Sequence, residues 1–298
     1  MTVFEALQWA SGKLKPIVSA SAMLDAEVLL SHAVRVNKAW VFSHLDQELR
    51  AHEETAFTDL VNRRAKREPV AHLVGTKEFF GRTFRVTPAT LIPRPATEAL
   101  VEEAVKIVHA NSQILNTNSL FADIGTGSGA IAITLAAETG LHAIATDVSR
   151  DALFIAESNA AALGVADKVD FRLGNLLEPV VAIFRKLGSS SPVKHLVICA
   201  NLPYLTAEKV ACAEPDVKDY EPHSALVAGS DGLECYWQLF RYLKANREIL
   251  PERVTVLIEI DPDQADAALA MIRHDFPAAS PRVVKDLSGV DRIIVAET

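Results

Sequence analysis

The stretch Leu120-Phe-Ala-Asp-Ile-Gly-Thr-Gly-Ser-Gly-Ala-Ile-Ala-Ile-Thr-Leu-Ala136 constrains this chain more than any other. An apolar run closes on Asp123, glycine then recurs at 125, 127 and 129, and an Ala/Ile-rich helical pattern begins. Physically this is a strand, a tight turn and a helix N-terminus. Gly125 and Gly127 permit a turn closed to bulkier residues and let a ligand approach the main chain. The helix opening near Gly129 presents unpaired N–H groups and a partial positive charge to an anionic or carboxylate ligand. A mononucleotide-type cofactor site follows, but its ligand stays open. Gly125, Gly127 and Ala130 satisfy the G-x-G-x-x-G/A dinucleotide fingerprint, and Asp147, 20 residues after Gly127, stands where a ribose-binding acid is expected. A nicotinamide enzyme fits this spacing equally well, and a glycine-rich turn that binds nothing is the third alternative.

Beyond the turn, strand and helix signals alternate. Strands are expected at 141–146, 168–173, 194–199 and 253–260, with a closing pair near 281–287 and 290–296, and helices at 149–163, 233–249 and 262–274. Such alternation argues for an α/β fold, a parallel sheet covered by helices on both faces. Lys186 to Pro192, with Gly188 and three serines, reads as a mobile surface loop, and Asn111 to Ser119 as a polar loop leading into the first strand.

The N-terminal part is different in kind. Residues 1 to about 72 hold a single glycine, Gly12, and segments such as Met23–Val34 place apolar residues at three- and four-residue spacing, so a small bundle of short helices is expected. Its His32, His44 and His52 lack metal-ligand spacing and read as surface or structural residues. From 61 to 85 seven cations face two acids, a pattern that more often marks a solvated face than a docking surface for an acidic partner. Thr76–Val86 reads as two short strands around Gly81, and the prolines of Leu91-Ile-Pro-Arg-Pro95 stiffen the entry to a helix capped near Thr97 and running to about Ala110. The organisation expected is a helical domain over 1–74, a β-hairpin connector over 75–92 and a catalytic domain over 93–298.

A net charge of −8 argues against a protein that coats nucleic acid by bulk electrostatics. Cys199, Cys212 and Cys235 have no paired spacing, so neither a zinc site nor a disulfide framework is indicated. The first twenty residues lack a long apolar core and carry Glu5, Lys13 and Lys15, and no apolar run approaches membrane-spanning length. A cytoplasmic location is expected.

The motif that decides the chemistry is Ala200-Asn201-Leu202-Pro203-Tyr204, directly after the apolar strand Leu196–Cys199. In an open α/β sheet ligands bind beyond the carboxyl ends of the strands, where strand order reverses. An Asn at that edge, held by a stiff Pro-Tyr turn, offers an acceptor oxygen and an aromatic plane to a flat NH₂-bearing target. An amide nitrogen is a poor nucleophile because its lone pair is delocalised into the carbonyl. If the Asn201 side-chain oxygen and the Leu202 main-chain carbonyl each accept one of its N–H groups, the nitrogen is held with its lone pair aimed at an electrophile. Such positioning supplies up to ~7–11 kcal/mol in favourable cases. The bland alternative is a strand-terminating turn whose Asn caps the next helix.

Asn201-Leu202-Pro203-Tyr204 resembles the Asn-Pro-Pro-Tyr motif of amino-methyltransferases, and Asp123-x-Gly125-x-Gly127-x-Gly129 resembles their S-adenosylmethionine loop. The whole chain resembles the N5-glutamine methyltransferases of peptide-chain release factors (the HemK-type family). Pro69–Gly75, Glu78–Gly81, Leu91–Pro95 with Thr97-Glu98, and Glu221-Pro222 carry that resemblance. So do Ala225-Leu226, Asp231–Leu233, Glu259-Ile260, Gln264, Asp286-Leu287 and Asp291-Arg292. It implies a seven-stranded, Rossmann-like (class I) methyltransferase sheet behind a small helical N-terminal domain that engages the release factor. It also implies S-adenosylmethionine as cofactor, with S-adenosylhomocysteine as product, and a role in translation termination. By the same resemblance Asp123, Gly125, Thr126, Gly127, Ser128 and Gly129 would wrap the methionine end of the cofactor. Asp147 would accept from the ribose hydroxyls, and Asn175 and Leu176 would sit by the adenine. Asn201 would lie between cofactor and substrate, with Leu202, Pro203 and Tyr204 completing the glutamine pocket. The reaction implied is methylation of the side-chain amide nitrogen of the glutamine in the Gly-Gly-Gln motif, with no membrane and no stable nucleic-acid contact.

Two positions depart from the family's usual pattern. Leu202 stands where proline is usual, which leaves the main-chain carbonyl intact, and Asn175 stands where an Asp commonly meets the adenine amine. A neutral amide oxygen still accepts that hydrogen bond, though more weakly than a carboxylate. Alternative activities with the same motif are methylation of another protein glutamine, as on a ribosomal protein, and N6 methylation of adenine on a flipped base. A nicotinamide-dependent oxidoreductase lacks an evident hydride-transfer site here, and a non-catalytic cofactor scaffold would not keep Asn201 and Tyr204 together.

Overall fold

A computed structural model describes residues 1–110 and 118–298; most of the polar stretch read as a loop before the first strand, 111–117, lies outside them. The described residues divide into two compact units, Met1–Thr76 with Glu214–Tyr220, and Lys77–Ala213 with Glu221–Thr298.

The first unit is helical, as the near-absence of glycine and the apolar spacing require. Helices span Val3–Leu14, Ala22–Val34, Lys38–Ser43, Ala51–Arg64 and Val70–Val74. Thr2 caps the first through a capping box with Glu5, Asn37 caps the third, and left-handed Gly75 ends the last. Leu7, Leu14, Leu29, Leu30, Phe57 and Val61 form the core between them. Part of the basic run is tied up in ion pairs rather than left as a solvated face. Arg64 is buried and pairs with Asp25 at 2.7 Å and Asp216 at 2.9 Å, Arg67 pairs with Glu214 and Asp216, and Arg63 pairs with Glu68. Burial would push the Asp216 carboxyl up, but the two arginines hold it below the ordinary carboxylate value. These pairs explain why Glu214–Tyr220 belongs to the helical unit although sequence places it far downstream.

The second unit opens on a hairpin, β1 (Thr76–Phe79) with β2 (Arg82–Arg85), turned at Phe80 and Gly81, both at positive φ. A 3₁₀ turn at Pro95–Thr97 leads into helix Glu98–Ala110. The main sheet follows: β3 (Ser119–Ile124), β4 (Ala143–Asp147), β5 (Val169–Leu173), β6 (His195–Ala200), β7 (Arg253–Glu259), β8 (Arg282–Lys285) and β9 (Asp291–Glu297). Its order is β5-β4-β3-β6-β7-β9-β8. β3 to β7 are parallel, whereas β9 runs antiparallel to both β7 and β8. The expectation of a parallel sheet thus needs correction at its last two strands. Only 286–290 separates β8 from β9, far too short for a parallel crossover. Strands β6 and β7 are buried along almost their whole length and are apolar at most positions, as strands covered on both faces are.

Further differences lie in short helices. Glu178–Leu187 is helical and buries Val180, Val181 and Phe184, so Lys186 and Leu187 close a helix, and Gly188–Ser190 form a 3₁₀ turn rather than a plain loop. Short helices at Ala207–Cys212 and Pro215–Lys218 have too few residues to show a helical period. The helix expected over 233–249 is Glu234–Ala245 followed by a 3₁₀ turn, Arg247–Ile249.

Candidate active site

The order of the sheet reverses between β3 and β6: β3 leads to β4 on one side, and β6 to β7 on the other. Crevices at such switch points are where open α/β sheets bind ligands. The register Ile124↔Ala200 ends both strands side by side, so the glycine turn and the Asn201 turn leave the same edge of the sheet.

Gly125, Gly127 and Gly129 all adopt positive φ (73°, 55° and 83°). The N–H groups of Gly125 and Thr126 both donate to the Thr146 carbonyl at 2.9 Å, which pins the turn to β4. A Cβ on Gly125 would come within 2.8 Å of Leu202 Cδ2, so this glycine also makes room for the neighbouring turn. At Gly129 a Cβ would meet Ile133 Cδ1 at 2.6 Å, where helix Ala130–Thr139 begins.

The two acids of this region differ in what they face. Asp123 is fully buried, and its Oδ2 accepts from the Thr126 hydroxyl at 2.6 Å and the Ala132 N–H at 3.0 Å. Burial lifts its pKa from 3.8 to about 7 against those two hydrogen bonds, and the Asp147 charge adds to the rise. Asp123 does not line the cavity; it holds the glycine turn from behind, and Gly129 likewise is packed rather than exposed to it. Asp147 does line it. Its Oδ2 accepts from the Gly127 N–H and its Oδ1 from the Ser149 N–H, both at 2.9 Å, leaving a lone pair on each oxygen.

The cavity at this edge measures about 220 Å³. Gly125–Ser128, Asp147 with Val148 and Ser149, and Gly174–Leu176 form one side. Leu176 is held at φ 46°, a sparsely populated conformation for a leucine, and its carbonyl accepts from the Thr146 hydroxyl at 3.1 Å. Asn201, Leu202 and Pro203 form the other side, with Thr97, Arg94 and Cys235. Arg94 pairs with buried Glu221, whose other oxygen accepts from the Ile92 N–H at 3.1 Å.

The Asn201 turn is held by residues from distant segments. Asn201 Nδ2 donates to Thr97 Oγ1 at 3.1 Å, which leaves Oδ1 as the acceptor available to a ligand. The Leu202 N–H donates to the Tyr236 hydroxyl at 3.2 Å, and that hydroxyl donates in turn to the Glu259 main-chain carbonyl. Because a hydroxyl carries one hydrogen, the Leu202 carbonyl, 3.5 Å away, keeps its acceptor capacity. Tyr204 does not line the cavity; its hydroxyl donates to Glu259 Oε1 at 3.2 Å, and burial raises its pKa, with the Glu259 charge adding to the shift. Sequence reasoning passed over Val148 and Ser149, which adjacency to Asp147 would have flagged. It also passed over Tyr236, which no local pattern marks.

A model of the PrmC N-terminal domain matches residues 5–75. The release factor glutamine methyltransferase of Bacillus anthracis is 34% identical over 300 residues, covering 100% of this chain and 99% of the relative. That of Cereibacter sphaeroides is 36% identical over 297 residues, covering 99% and 98%. Among solved structures, the hMettl16 catalytic domain in complex with MAT2A 3′UTR hairpin 6 aligns with a TM-score of 0.54 at 14% identity, over 80% of this chain and 81% of that one. At that identity the likeness speaks for the methyltransferase fold alone. Full-length identity at this level, together with the matched N-terminal domain, makes the chain a member of the release factor glutamine methyltransferase family.

Proposed function

We propose that this protein transfers a methyl group from S-adenosylmethionine to the side-chain amide nitrogen (N5) of the glutamine in the Gly-Gly-Gln motif of peptide-chain release factors, with S-adenosylhomocysteine as product. Relatives that share its full length carry the release factor glutamine methyltransferase name. The observation that carries the reading is the paired acceptors of the Asn201 turn, set beside a glycine turn at the switch point of the sheet.

The residues present suit that cofactor. Asp147 offers a free lone pair on each carboxylate oxygen toward the cavity, as a ribose diol requires. Val148 is 67% exposed and lines the cavity along with Leu176, so two apolar side chains are available to a flat base, with Asn175 also in the lining to accept from an exocyclic amine. The glycine turn opens the main chain to a small zwitterion. Asp123 and Gly129 act by holding that turn rather than by touching the ligand.

S-adenosylmethionine supplies an electrophilic methyl carbon on a sulfonium. The protein's part is to present the amide: Asn201 Oδ1 and the Leu202 carbonyl each accept one N–H, while Pro203 and Tyr204 stiffen the turn. The N–C bond forms as the S–C bond breaks, and the nitrogen then gives its extra proton to solvent. The helical unit of Met1–Thr76 with Glu214–Tyr220 is assigned to recognition of the release factor, on the strength of its matched domain. No helix among the described residues is long and apolar enough to cross a membrane; a cytoplasmic location suits a substrate that works on ribosomes. Labelled methyl transfer to purified release factors, with the loop glutamine intact or replaced, tests the reading. Label that persists after the replacement overturns the proposed target.

A further inference from the structure

We infer that Gln264 is a positioning residue for the Leu202 carbonyl: a single side chain that ties the turn after Asn201 to the segment that braces it. The inference rests on the reading above, in which that carbonyl accepts one N–H of the substrate amide.

Gln264 closes the stretch Asp261-Pro262-Asp263-Gln264 that follows β7, and it is buried. Its Oε1 accepts from the Asp261 N–H at 3.0 Å, half of a capping box around the 3₁₀ turn Pro262–Gln264. Glutamate and glutamine serve a capping box equally, so that role leaves the choice of an amide unexplained. The explanation lies at the other end of the group. Nε2 donates to the Tyr204 carbonyl at 2.8 Å and to the Asp231 carbonyl at 3.1 Å. Two main-chain acceptors on one side and a main-chain donor on the other fix which end of the amide is which, and both hydrogens of the NH₂ are used. A glutamate in the same place would bring an oxygen against two carbonyls.

Those carbonyls belong to the two segments that frame Leu202. Tyr204 stands just beyond it, and the chain continues at Leu205 into main-chain bonds with Leu226 at 3.0 Å and Ala228 at 2.9 Å. Asp231 opens the turn into helix Glu234–Ala245, and its Oδ1 accepts from the Leu233 N–H at 2.9 Å. Tyr236, in the first turn of that helix, takes the Leu202 N–H at 3.2 Å. Gly232 lets the segments come this close. At φ 73° it sits where any Cβ would collide with the Tyr204 carbonyl and the Gln264 amide nitrogen.

Leu202 is thus held at its N–H through Tyr236 and from the far side through Tyr204, and Gln264 joins the two holds. Without that amide, the segment carrying Tyr236 is free to shift against the one carrying Tyr204. The Leu202 carbonyl lies between them, and its direction decides whether the substrate nitrogen aims its lone pair at the methyl carbon. A displacement of about 1 Å caused far from the reacting atoms can cost about 100-fold in rate. The glycine turn is pinned separately, by the Thr146 carbonyl and Asp147, so loss of the Gln264 amide should spare cofactor binding.

The test uses the full chain with Gln264→Glu, which keeps the shape and the capping oxygen and removes the two donors. The Leu202 N–H, followed by hydrogen exchange in assigned ¹⁵N spectra, should exchange at least about tenfold faster, while amides of β6 such as Ile198 keep their protection. Unchanged protection at Leu202 overturns the inference whatever the substrate proves to be, and so does a loss that β6 shares. In single-turnover transfer at saturating S-adenosylmethionine, the rate should fall about 10- to 100-fold. The cofactor dissociation constant should stay within about threefold of the parent, a split that general damage would not produce. A full rate, or a rate and an affinity that fall together, overturns the inference. If the parent chain itself gives no glutamine-dependent label, the functional reading fails while exchange at Leu202 still decides whether Gln264 holds it. Should Gln264→Glu melt far below the parent, Gln264→Met, which keeps the length and buries no charge, takes its place in both measurements.

Discussion

The turns after Ile124 and after Ala200 leave neighbouring parallel strands at the same edge of one sheet, yet they are held by different means. The first is shaped by its own residues: three glycines at positive φ, main-chain bonds to Thr146, and Asp123 tucked behind. The second contains no glycine, and its hydrogen bonds run to Thr97, Tyr236 and Glu259, separated from it by 104, 34 and 55 residues. A turn built from backbone conformation provides shape and little chemistry, which suits a cofactor bound through its main-chain contacts. A turn braced from outside fixes where single atoms point, which a reaction at one nitrogen demands.

The largest effect should come from the externally braced turn. Asn201→Ala removes an acceptor that aligns the nucleophile, and comparable losses cost ~10²–10³ in rate. Single-turnover transfer at saturating cofactor, with folding checked by thermal melting, measures it; a well-folded variant with full activity would falsify the two-acceptor mechanism. On the other side, Asp147→Ala should weaken cofactor binding by about 10- to 100-fold. A charge-assisted hydrogen bond is worth ~1.5–3 kcal/mol, and water partly replaces the second. Calorimetry reads this directly, and an unaltered dissociation constant removes Asp147 from the site. The two variants together show whether the turns divide binding from chemistry as their construction suggests.

The same contrast explains what could be read before any coordinates. The glycine turn, Asp147 and the strands around them are local patterns, since strand, turn and helix each leave a period or a punctuation mark in sequence. The Asn201 motif was legible as chemistry for the same reason. Its supports were not: Thr97 reads as a helix cap and Tyr236 as one more apolar residue of an amphipathic helix, and only the sheet order brings them to Asn201. The position of Asp123 in the motif says that it is needed, not which way its carboxylate points; that is set by Thr126 and Ala132. The pairing of Arg64 and Arg67 with Glu214 and Asp216 is equally non-local, so a run of cations read as surface charge.

Asp123 offers a test of the internally held turn through pH. Its folded pKa of about 7 lies above the ordinary 3.8. Between those values the folded protein keeps a proton that the unfolded chain has lost, so this group's contribution to stability is full below about pH 4 and declines as pH rises to 7. Asp123→Asn cannot titrate. The variant should be less stable than the parent at pH 5, because an NH₂ replaces the unpartnered Oδ1 in a buried site, and the gap should narrow by roughly 2 kcal/mol by pH 8. Urea unfolding at the two pH values measures the gap. If it stays constant, Asp123 does not carry its proton in the folded state.

The smallest effect is expected where the two turns touch. Leu202 packs into the space that Gly125 leaves, and its N–H reaches the Tyr236 hydroxyl. Leu202→Pro removes that N–H and part of the side chain but keeps the carbonyl that accepts from the substrate. Tyr236 still donates to Glu259, so no buried donor is orphaned, and the lost hydrogen bond costs ~1 kcal/mol. The fewer carbons buried against Gly125 cost ~0.8 kcal/mol for each methylene. Thermal melting should therefore fall by only a few degrees, about 2–4 °C per kcal/mol for a chain of this size. Transfer should stay within about tenfold of the parent, equivalent to ~1.4 kcal/mol. Cofactor affinity should hardly move, because Leu202 meets the glycine turn through carbon alone. If a folded Leu202→Pro protein binds cofactor normally but transfers nothing, the turn depends on its own residue 202, and the contrast between an internally built turn and an externally braced one fails at the point of contact. If it binds cofactor poorly instead, Leu202 is a buttress of the glycine turn, and Gly125 was selected for that packing rather than for the ligand.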